Sequence, residues 1–314
     1  MSEVVKIATR DAYGKALTEL GDKNHDVVVL DADLAGATKT GVFKASFPER
    51  FIDCGIAEGN MIGVAAGFAA EGKIPFASSF AMFAAGRAFE QIRNSVGYPH
   101  LNVKIGATHA GVSVGEDGAT HQCNEDIALM RTIPGMIVLN PADAVEARAA
   151  VFAAAEHKGP VYLRFGRLAV PVINDRPDYK FEIGKAITLR EGTDVTLIAT
   201  GLMVNEALMA ADQLAEKGIS ARVVNMHTLK PLDAEAVKKA AAETKGIVTA
   251  EEHSVIGGLY SAVCEVLCAE GAAVKVAPVA MMDTFGQSGP GAKLLEHYGL
   301  SAAHIVEEAE KLCR

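Results

Sequence analysis

The chain contains no tryptophan, and aromatic residues make up only 6% of its 314 residues. It also lacks a C-x-x-C pair among its five cysteines, which argues against a disulfide framework and against a zinc site. Positive charge is scarce as well, because 39 acidic residues against 30 basic ones leave a net charge of −9. This balance argues against binding to nucleic acid or to an anionic membrane surface.

Long apolar runs are missing too. The longest uncharged apolar stretch, M-I-G-V-A-A-G-F-A-A at 61–70, is far too short to span a bilayer. The N-terminus, M-S-E-V-V-K, does not follow the plan of a signal peptide, in which a basic segment precedes an apolar one. We therefore expect a cytoplasmic protein with neither a membrane nor a nucleic acid as its partner.

Two nucleotide-binding fingerprints are also absent, G-x-G-x-x-G and G-x-x-x-x-G-K-[ST]. The nearest match, G-V-S-V-G-E-D-G at 111–118, has the wrong spacing and precedes a polar loop. A Rossmann dehydrogenase and a P-loop NTPase therefore find no support in the residues.

What the chain does contain is a regular alternation of short aliphatic runs and alanine-rich stretches of helical length. In the first half, helices are predicted at 58–71 and 142–157, and strands at 27–30, 50–54, 74–80, 102–107, 136–140 and 161–165. In the second half, a helix is predicted at 256–270, and strands at 194–201, 221–226, 246–250 and 274–280. Because most of these strands are apolar throughout, the pattern predicts mainly parallel sheets covered on both faces.

The segment 170–184 contains two prolines and mixed charges, and it breaks this alternation. A chain of this length also exceeds what one hydrophobic core usually holds. We therefore predict an α/β protein with two doubly wound, mainly parallel-sheet domains. The first domain is expected at 1–172 and the second at 185–314, with a linker at 173–184.

One predicted strand runs directly into a helix, in I-D-C-G-I-A-E-G-N-M-I-G-V-A-A-G at 52–67. Glu58 lies at the junction, where the helix dipole favours a carboxylate. Gly59, Gly63 and Gly67 recur every four residues and form a stripe along the helix. Such a stripe allows another backbone to approach closely, either within the chain or from a second subunit.

The loop H-A-G-V-S-V-G-E-D-G-A-T-H-Q at 109–122 follows another predicted strand. His109, Asp117 and His121 lie in it among glycines, at a spacing that fits no common metal site, so we predict no metal ligands. Glycines beside titratable side chains at the end of a parallel strand favour a substrate pocket. Solvated loop residues remain the alternative from spacing alone.

Taken together, several blocks resemble the transketolase family of thiamine-diphosphate enzymes. The resemblance extends in order over nearly the whole chain, through I-A-T-R (7–10), D-A-D (31–33), F-I-D-C-G-I-A-E-G-N-M (51–61), S-S-F-A-M-F (78–83), the loop at 108–122, G-P-V-Y-L-R-F-G-R (159–167), H-T-L-K-P-L-D (227–233) and A-E-E-H-S-V-I-G-G-L (250–259). It implies the family's pyrimidine-binding domain followed by its C-terminal domain.

The family's G-D-G motif, which binds the cofactor diphosphate and its metal, does not occur in this chain. The resemblance therefore implies the C-terminal subunit of a split transketolase. A separate N-terminal subunit would hold the diphosphate together with Mg²⁺ or Ca²⁺. The expected assembly is a heterotetramer with two copies of each subunit.

The resemblance also assigns roles to individual residues. Glu58 matches the glutamate that shares a proton with the pyrimidine ring of thiamine diphosphate, which favours the tautomer that can deprotonate the cofactor. Phe80 and Phe83 match the aromatic residues that stack on this ring, and Asp33 is a further expected cofactor contact. His109, Asp117 and His121 match substrate-channel residues, with both histidines expected to take part in catalysis.

Arg10 and Arg167 match two arginines that bind the substrate phosphate, a task suited to planar groups with several donors. In the family a serine that helps to bind this phosphate usually follows the Asp of D-A-D by four residues. Here that position is Ala37, followed by Thr38. Either Thr38 substitutes for the serine, or the preferred sugar phosphate differs from the usual pentose and hexose phosphates.

The resemblance implies transfer of a two-carbon ketol unit from a ketose phosphate to an aldose phosphate, in pentose-phosphate carbohydrate metabolism. A deoxyxylulose-phosphate synthase-like or 2-oxoacid dehydrogenase beta-subunit-like enzyme is one alternative. A transketolase for an unusual, for example branched, sugar is another. His109 argues against the synthases, which typically have a different dipeptide at 108–109. A non-catalytic binding module is the remaining alternative, against which the joint presence of the site residues argues.

Overall fold

The computed structural model describes residues 5–314 as two large sheets and a two-stranded ribbon, with helices between the strands. The strands are β1 (Lys6–Ala8), β2 (Val27–Asp31), β3 (Phe51–Asp53), β4 (Ile74–Phe80), β5 (Lys104–Thr108), β6 (Ile137–Leu139), β7 (Val161–Arg164), β8 (Ala169–Pro171), β9 (Ile187–Arg190), β10 (Val195–Ala199), β11 (Ala221–Asn225), β12 (Thr228–Lys230), β13 (Gly246–Ser254) and β14 (Lys275–Met281).

The helices are α1 (Thr9–Lys23), α2 (Ala35–Thr38), α3 (Gly41–Ser46), α4 (Glu58–Ala70), α5 (Phe89–Gln91), α6 (Asp126–Arg131), α7 (Ala144–Glu156), α8 (Met203–Glu216), α9 (Ala234–Glu243), α10 (Leu259–Glu270), α11 (Gly291–His297) and α12 (Ala302–Cys313). Two π-helical segments, Met82–Arg87 and Ile92–Gly97, flank α5. Single π-helical turns often occur at functional sites.

The first sheet has the strand order β12-β6-β7-β5-β4-β2-β3 within the described residues. All neighbours from β6 to β3 are parallel, and β12 adds antiparallel at the edge. The central strands β2 and β5 are buried along their whole length. Burial on both faces explains their uninterrupted apolar character.

The second sheet has the order β14-β13-β10-β11-β9, in which only the pair of β9 with β11 is antiparallel among the described strands. Helices α8 and α12 pack on one face of it and share a core with β10 and β11. We call the first sheet with its helices the first unit and the second sheet with its helices the second unit. The hydrophobic core on one face of the first sheet continues into the second unit through Val224, Leu259 and Val263. The two sheets are therefore joined by a continuous apolar interior.

The predicted fold class is confirmed, since both large sheets are mainly parallel and helices cover their faces. Every predicted strand is present, with bounds shifted by a few residues. Four short strands were not predicted: β1, β8, β9 and β12. β12 lies within the predicted second domain but completes the first sheet. The domain limits themselves stay a prediction.

The predicted linker is tied to the first unit. The backbone N–H groups of Ile173 and Asn174 both donate to Oδ2 of Asp143 at 2.7 Å. Oδ1 of the same carboxylate caps helix α7 by accepting from the N–H of Glu146 at 2.9 Å. One buried side chain therefore fixes both the start of a helix and the path of the connecting segment.

Candidate active site

The candidate site lies at the edge of the first sheet where the parallel strands β5, β4, β2 and β3 end side by side. Ligands of open α/β sheets bind at this edge, outside the carboxyl ends of the strands. Glu58 follows β3, Phe80 ends β4, and His109 follows β5. The chain connectivity therefore brings three of the predicted residues to one edge of the sheet.

Glu58 begins helix α4, and its side chain is only 2% exposed. Nη1 of Arg87 donates to both carboxylate oxygens, at 3.0 and 2.8 Å. Arg87 ends the π-helical segment that follows β4, and 53% of its side chain is exposed. The ion pair thus connects a buried carboxylate with a cation that faces solvent. The N–H groups of the first helical turn also favour the negative charge.

Four rings extend from this ion pair to the glycine-rich loop. Phe80 and Phe83 have centroids 5.9 Å apart and nearly parallel planes. His109 stacks on Phe80 at 3.8 Å, and His121 meets the edge of Phe83 at 5.2 Å. The guanidinium of Arg87 lies 4.7 Å from the centre of the Phe83 ring. Predicted residues from three segments of the chain are therefore in contact.

His109 is a buried, neutral imidazole with a defined tautomer. Its Nε2 lies 2.9 Å from Nη1 of Arg10, and its Nδ1 lies 2.8 Å from Oγ1 of Thr108. Because a guanidinium can only donate, Nε2 must accept, so the proton is on Nδ1. Burial, together with the charges of Arg10 and Arg167, lowers the pKa of His109 to about 3. Its backbone φ of 56° is uncommon for a residue other than glycine and typical of functional sites.

Arg10 and Arg167 lie close enough for their charges to interact. Burial lowers the pKa of Arg10, and the positive charge of Arg167 adds to that effect. Nη1 of Arg10 also donates to the carbonyl of Ala37 at 3.1 Å, while its buried Nε has no hydrogen-bond partner within residues 5–314. Arg167 donates to the carbonyl of Val114 and, at 2.8 Å, to Glu116. Two neighbouring guanidinium groups with an unused buried donor can bind a phosphate.

Two of the predicted residues are exposed, and neither side chain forms a hydrogen bond with this cluster within residues 5–314. Asp33 is exposed, and its backbone N–H donates to Oδ1 of Asp53 at 3.2 Å. Asp117 is also exposed, and within residues 5–314 its side chain takes part in no hydrogen bond or ion pair. Their predicted roles stay predictions.

Thr38 does not offer its hydroxyl to a ligand. It is fully buried, and its Oγ1 donates to Oδ2 of Asp31 at 2.7 Å. Thr40 donates to the same carboxylate oxygen at 2.8 Å. The suggestion that Thr38 replaces the missing serine is therefore wrong for this conformation. Ala37 contributes only its backbone carbonyl to the site, through Arg10.

The structure shows why the loop at 109–122 contains glycines, which the sequence did not reveal. Gly111, Gly115 and Gly118 all have positive φ, of 80°, 89° and 77°. A Cβ on Gly111 would lie 2.2 Å from Cδ of Glu252, and one on Gly118 would lie 2.5 Å from Oγ of Ser288. Glycine is needed here because the loop packs closely against the second unit.

The residues G-V-S-V-G at 111–115 match the G-x-S-x-G spacing of serine hydrolases, but they do not form a nucleophile elbow. Ser113 lies in a 3-10 turn, Val112–Val114, instead of between a strand and a helix. Its Oγ is buried and has no hydrogen-bond partner within residues 5–314. A serine nucleophile is therefore not supported at this position.

The glycine stripe on α4 is open along most of its length. A Cβ on Gly59 would lie 3.2 Å from Oε1 of Gln91, whereas one on Gly63 or Gly67 would have no described atom within 4 Å. Gly63 and Gly67 are both exposed. Packing within the described residues therefore accounts for Gly59 alone.

Two residues of the site were not singled out from the sequence. Arg87 was missed because its pairing with Glu58 depends on the π-helical turn, although it lies four residues after Phe83. Glu252 was missed because its contact with the loop joins residues 139 positions apart in the chain.

Within residues 5–314, no group of three or more His, Cys, Asp or Glu side chains could hold a metal ion. None of the described helices is long and apolar enough to cross a bilayer.

Comparison with known proteins identifies two domains. Residues 5–172 match the pyrimidine-binding domain of transketolase, and residues 184–305 match the transketolase C-terminal domain. The chain is 47% identical to the 6-deoxy-6-sulfo-D-fructose transketolase subunit SqwH of Clostridium sp. (strain MSTE9), with 96% of this chain and 94% of that protein covered. It is 40% identical to one of the apulose-4-phosphate transketolase subunits of Phocaeicola vulgatus, with 96% of each chain covered.

A solved structure is similar over the same extent. It is a split-gene transketolase described as an inactive beta4 tetramer, with 55% sequence identity and a TM-score of 0.89. The comparison covers 98% of this chain and 99% of that one.

Proposed function

The chain belongs to the transketolase family, and from that premise we propose that it is the C-terminal subunit of a split, thiamine-diphosphate-dependent transketolase. It transfers a two-carbon ketol unit from a ketose phosphate to an aldose phosphate, and it is active only with an N-terminal subunit. That partner holds the diphosphate and its Mg²⁺ or Ca²⁺. The match of this chain to the pyrimidine-binding and C-terminal domains supports this division of labour.

The observation that carries the proposal is the buried Glu58, which Arg87 links to the cluster of Phe83, Phe80 and the two histidines. A buried carboxylate at the end of such a ring cluster fits an aminopyrimidine, because the rings can stack and the carboxylate can hold a proton on a ring nitrogen. When bound, thiamine diphosphate supplies the carbon nucleophile that carries the ketol unit. Glu58 holds and returns the proton at the pyrimidine, and burial keeps water from competing for it.

Arg87 is the hydrogen-bonding partner from which a ligand must take Glu58. Its guanidinium donates to both carboxylate oxygens. A ligand that donates a proton to this carboxylate must share it with Arg87 or displace that side chain. Displacement is feasible because Arg87 is half-exposed, so water can solvate the released guanidinium.

The remaining residues bind and orient the sugar phosphate. Arg10 and Arg167 bind the anionic end, and the unpaired Nε of Arg10 supplies one donor. His109 stays neutral, and its Nε2 lone pair becomes available to a sugar hydroxyl once Arg10 turns its donor to the phosphate. His121 lies at the edge of the Phe83 ring, where it can contact the reacting end of the sugar. Asp117 is proposed to orient a donor hydroxyl and Asp33 to contact the cofactor.

The decisive experiment measures ketol transfer from xylulose 5-phosphate to ribose 5-phosphate with thiamine diphosphate and Mg²⁺. The chain is assayed alone and then mixed with the candidate N-terminal subunit, and we expect activity only in the mixture. Glu58→Ala should lower kcat of the complex by roughly 10²- to 10⁴-fold. Glu216→Ala, at the exposed end of α8, serves as the matched control. Near-normal turnover of Glu58→Ala, or turnover of pyruvate by the wild-type complex, would contradict the proposal.

A second candidate concerns the sugar. Ala37 lacks the hydroxyl that the family usually presents to the phosphate, and the hydroxyl of Thr38 is bonded to Asp31. Related subunits are named for 6-deoxy-6-sulfo-D-fructose and apulose 4-phosphate, neither of which is an ordinary pentose phosphate. We infer a donor with an unusual sugar skeleton or anionic group. The inference is tested by comparing kcat/KM for these two sugars with kcat/KM for xylulose 5-phosphate. A clear preference for xylulose 5-phosphate would refute the inference of an unusual donor.

The proposed assembly contains two copies of each subunit. The exposed faces of Gly63 and Gly67 leave helix α4 open to a second backbone. A related split transketolase is described as an inactive tetramer of its beta chain, which supports self-association of this subunit. Light scattering on the mixture measures the mass of the complex, and an active heterodimer with one copy of each subunit would contradict the proposed assembly.

A further inference from the structure

The loop at 109–122 carries three predicted site residues but has little regular structure of its own. Its base is closed by the bridge between Ala110 and Cys123, where the N–H of Gly111 donates to the carbonyl of Cys123 at 2.8 Å. Beyond that point the backbone forms turns, such as the one that joins Gly118 to Gly115 at 3.1 Å. Turns alone do not fix how the loop lies on the sheet edge, so its position depends on other contacts.

Glu252 supplies one of these contacts from the second unit. Its Oε1 accepts from the backbone N–H of Ser113 at 2.6 Å, and the residue is 3% exposed. The side chain fills the space that a Cβ on Gly111 would occupy. The carboxylate therefore contacts the loop at Gly111 and Ser113, between His109 and the Val114 carbonyl that Arg167 binds.

The surroundings of Glu252 hold it rigidly. Nη2 of Arg164 donates to its backbone carbonyl at 2.9 Å, and Nε of Arg164 donates to Oδ2 of Asp126 at 2.8 Å. The hydroxyl of Tyr162 donates to the same oxygen of Asp126 at 2.8 Å. Burial raises the pKa of Glu252 to about 7, against the opposing effects of Arg164 and the N–H of Ser113. Strand β7 of the first sheet is thereby connected to β13 of the second.

A second contact, made by Gln122, also attaches the loop to the second unit. Nε2 of Gln122 donates to the carbonyl of Gln287 in the second unit at 2.9 Å, and to those of Val112 and Gly115 in the loop at 3.2 and 3.1 Å. Both ends of the loop are thus attached to the second unit, by Glu252 near the start and by Gln122 at the end.

We propose that Glu252 is a positioning residue of the active site, through which the C-terminal domain holds the glycine-rich loop in place for His109, His121 and Arg167. The proposal rests on the proposed function and gives the C-terminal domain a part in catalysis besides packing. Glu252 itself does not touch the cofactor or the sugar. It acts through the backbone of Gly111 and Ser113, whose amides report its effect directly.

The test compares Glu252 with its neighbour Glu251 in the assembled complex. Glu251 is equally buried, and burial raises its pKa to about 7 as well. Its carboxylate, however, accepts from the N–H groups of Leu259 and Tyr260 at 2.7 and 2.8 Å and so caps α10. The two variants therefore remove similar groups, only one of which touches the loop. Glu252→Gln is added because it keeps an acceptor oxygen for Ser113.

Three quantities are measured on each variant: amide hydrogen exchange at 110–115, kcat and KM for the donor sugar phosphate, and the thermal midpoint. Glu252→Ala should speed exchange at Ser113 and its neighbours roughly tenfold and lower kcat/KM by a similar factor. Glu252→Gln should recover most of both losses. Glu251→Ala should lower the thermal midpoint comparably while leaving exchange at 110–115 and kcat/KM within about twofold of wild type.

Unchanged exchange at 110–115 in Glu252→Ala would overturn the inference, and so would an equal increase in Glu251→Ala. A wild-type complex without ketol transfer would instead refute the proposed function. The exchange measurement would still decide whether Glu252 holds the loop, so the two failures are distinguishable.

Discussion

The ion pair between Glu58 and Arg87 predicts unequal effects when either partner is removed. The glutamate side chain is 2% exposed and the arginine side chain 53% exposed. Arg87→Ala leaves a buried carboxylate without its cation, whereas Glu58→Ala leaves a guanidinium that water can solvate. We therefore expect the arginine substitution to destabilise the isolated chain far more, although the glutamate is the proposed catalytic group.

The magnitude follows from the contacts. A hydrogen bond to a charged group contributes about 1.5–3 kcal/mol, and the exposure of Arg87 places this one near the lower limit. Loss of the contact between Arg87 and the Phe83 ring adds about 0.5 kcal/mol. Arg87→Ala should then cost about 2 kcal/mol, which lowers the thermal midpoint by roughly 4–8 °C. Glu58→Ala should stay within about 0.5 kcal/mol of wild type, because losing the helix-dipole interaction is offset by no longer burying a charge.

Thermal and urea unfolding of the isolated chain measure these changes. Arg93→Ala is the matched control, since Arg93 is an exposed arginine of the same helical region whose guanidinium donates to Asn94 at 2.6 Å. The double substitution of Glu58 and Arg87 should be more stable than Arg87→Ala alone, because no buried charge remains. A double variant that is as unstable as Arg87→Ala would show that the carboxylate does not depend on this cation, and the reasoning would be refuted.

Three further predictions concern the phosphate site, the histidine and the loop. Arg10→Met should raise KM for the donor sugar phosphate in the complex at least about tenfold, whereas Arg190→Met, which breaks an exposed ion pair with Asp212, should leave KM unchanged. Because the pKa of His109 is lowered to about 3, its imidazole should remain neutral from pH 8 down to pH 4, and an NMR titration that shows protonation near pH 6 would contradict this. Gly111→Ala should destabilise the chain by roughly 2 kcal/mol in thermal unfolding because a Cβ would meet Glu252, whereas Gly36→Ala, in helix α2 with no described atom within 4 Å of the added Cβ, should stabilise it by about 0.5–1 kcal/mol.

The sequence predicted the alternating architecture well because strand and helix periodicity are local properties. The buried strands β2 and β5 are apolar throughout, and α7 begins at a capping aspartate, Asp143. The short strands β1, β8, β9 and β12 were missed because three or four residues carry too little periodicity to be distinguished from loop. Their pairing depends on partners far along the chain.

The candidate site was predicted in part. Phe80, Phe83, His109 and His121 lie in one cluster of rings, to which Arg87 links Glu58. They meet because β3, β4 and β5 are parallel strands of one sheet, and the segments that follow them start at the same edge. The direction and partners of polar side chains were not predictable in this way. Thr38 is an example. From the sequence its hydroxyl was a possible substitute for the serine, but in the structure this hydroxyl donates to the buried Asp31.

By itself, the sequence determined the alternation of the longer strands and helices and the family to which the blocks of residues correspond. These are properties of short segments and of motifs that remain recognisable without their surroundings. Only the tertiary structure decided that Arg87 faces Glu58, that Arg10 fixes the tautomer of His109, and that Glu252 reaches the loop across 139 positions. Such pairings depend on how sheets and helices pack, because packing sets the distance and angle between polar groups that the chain keeps far apart.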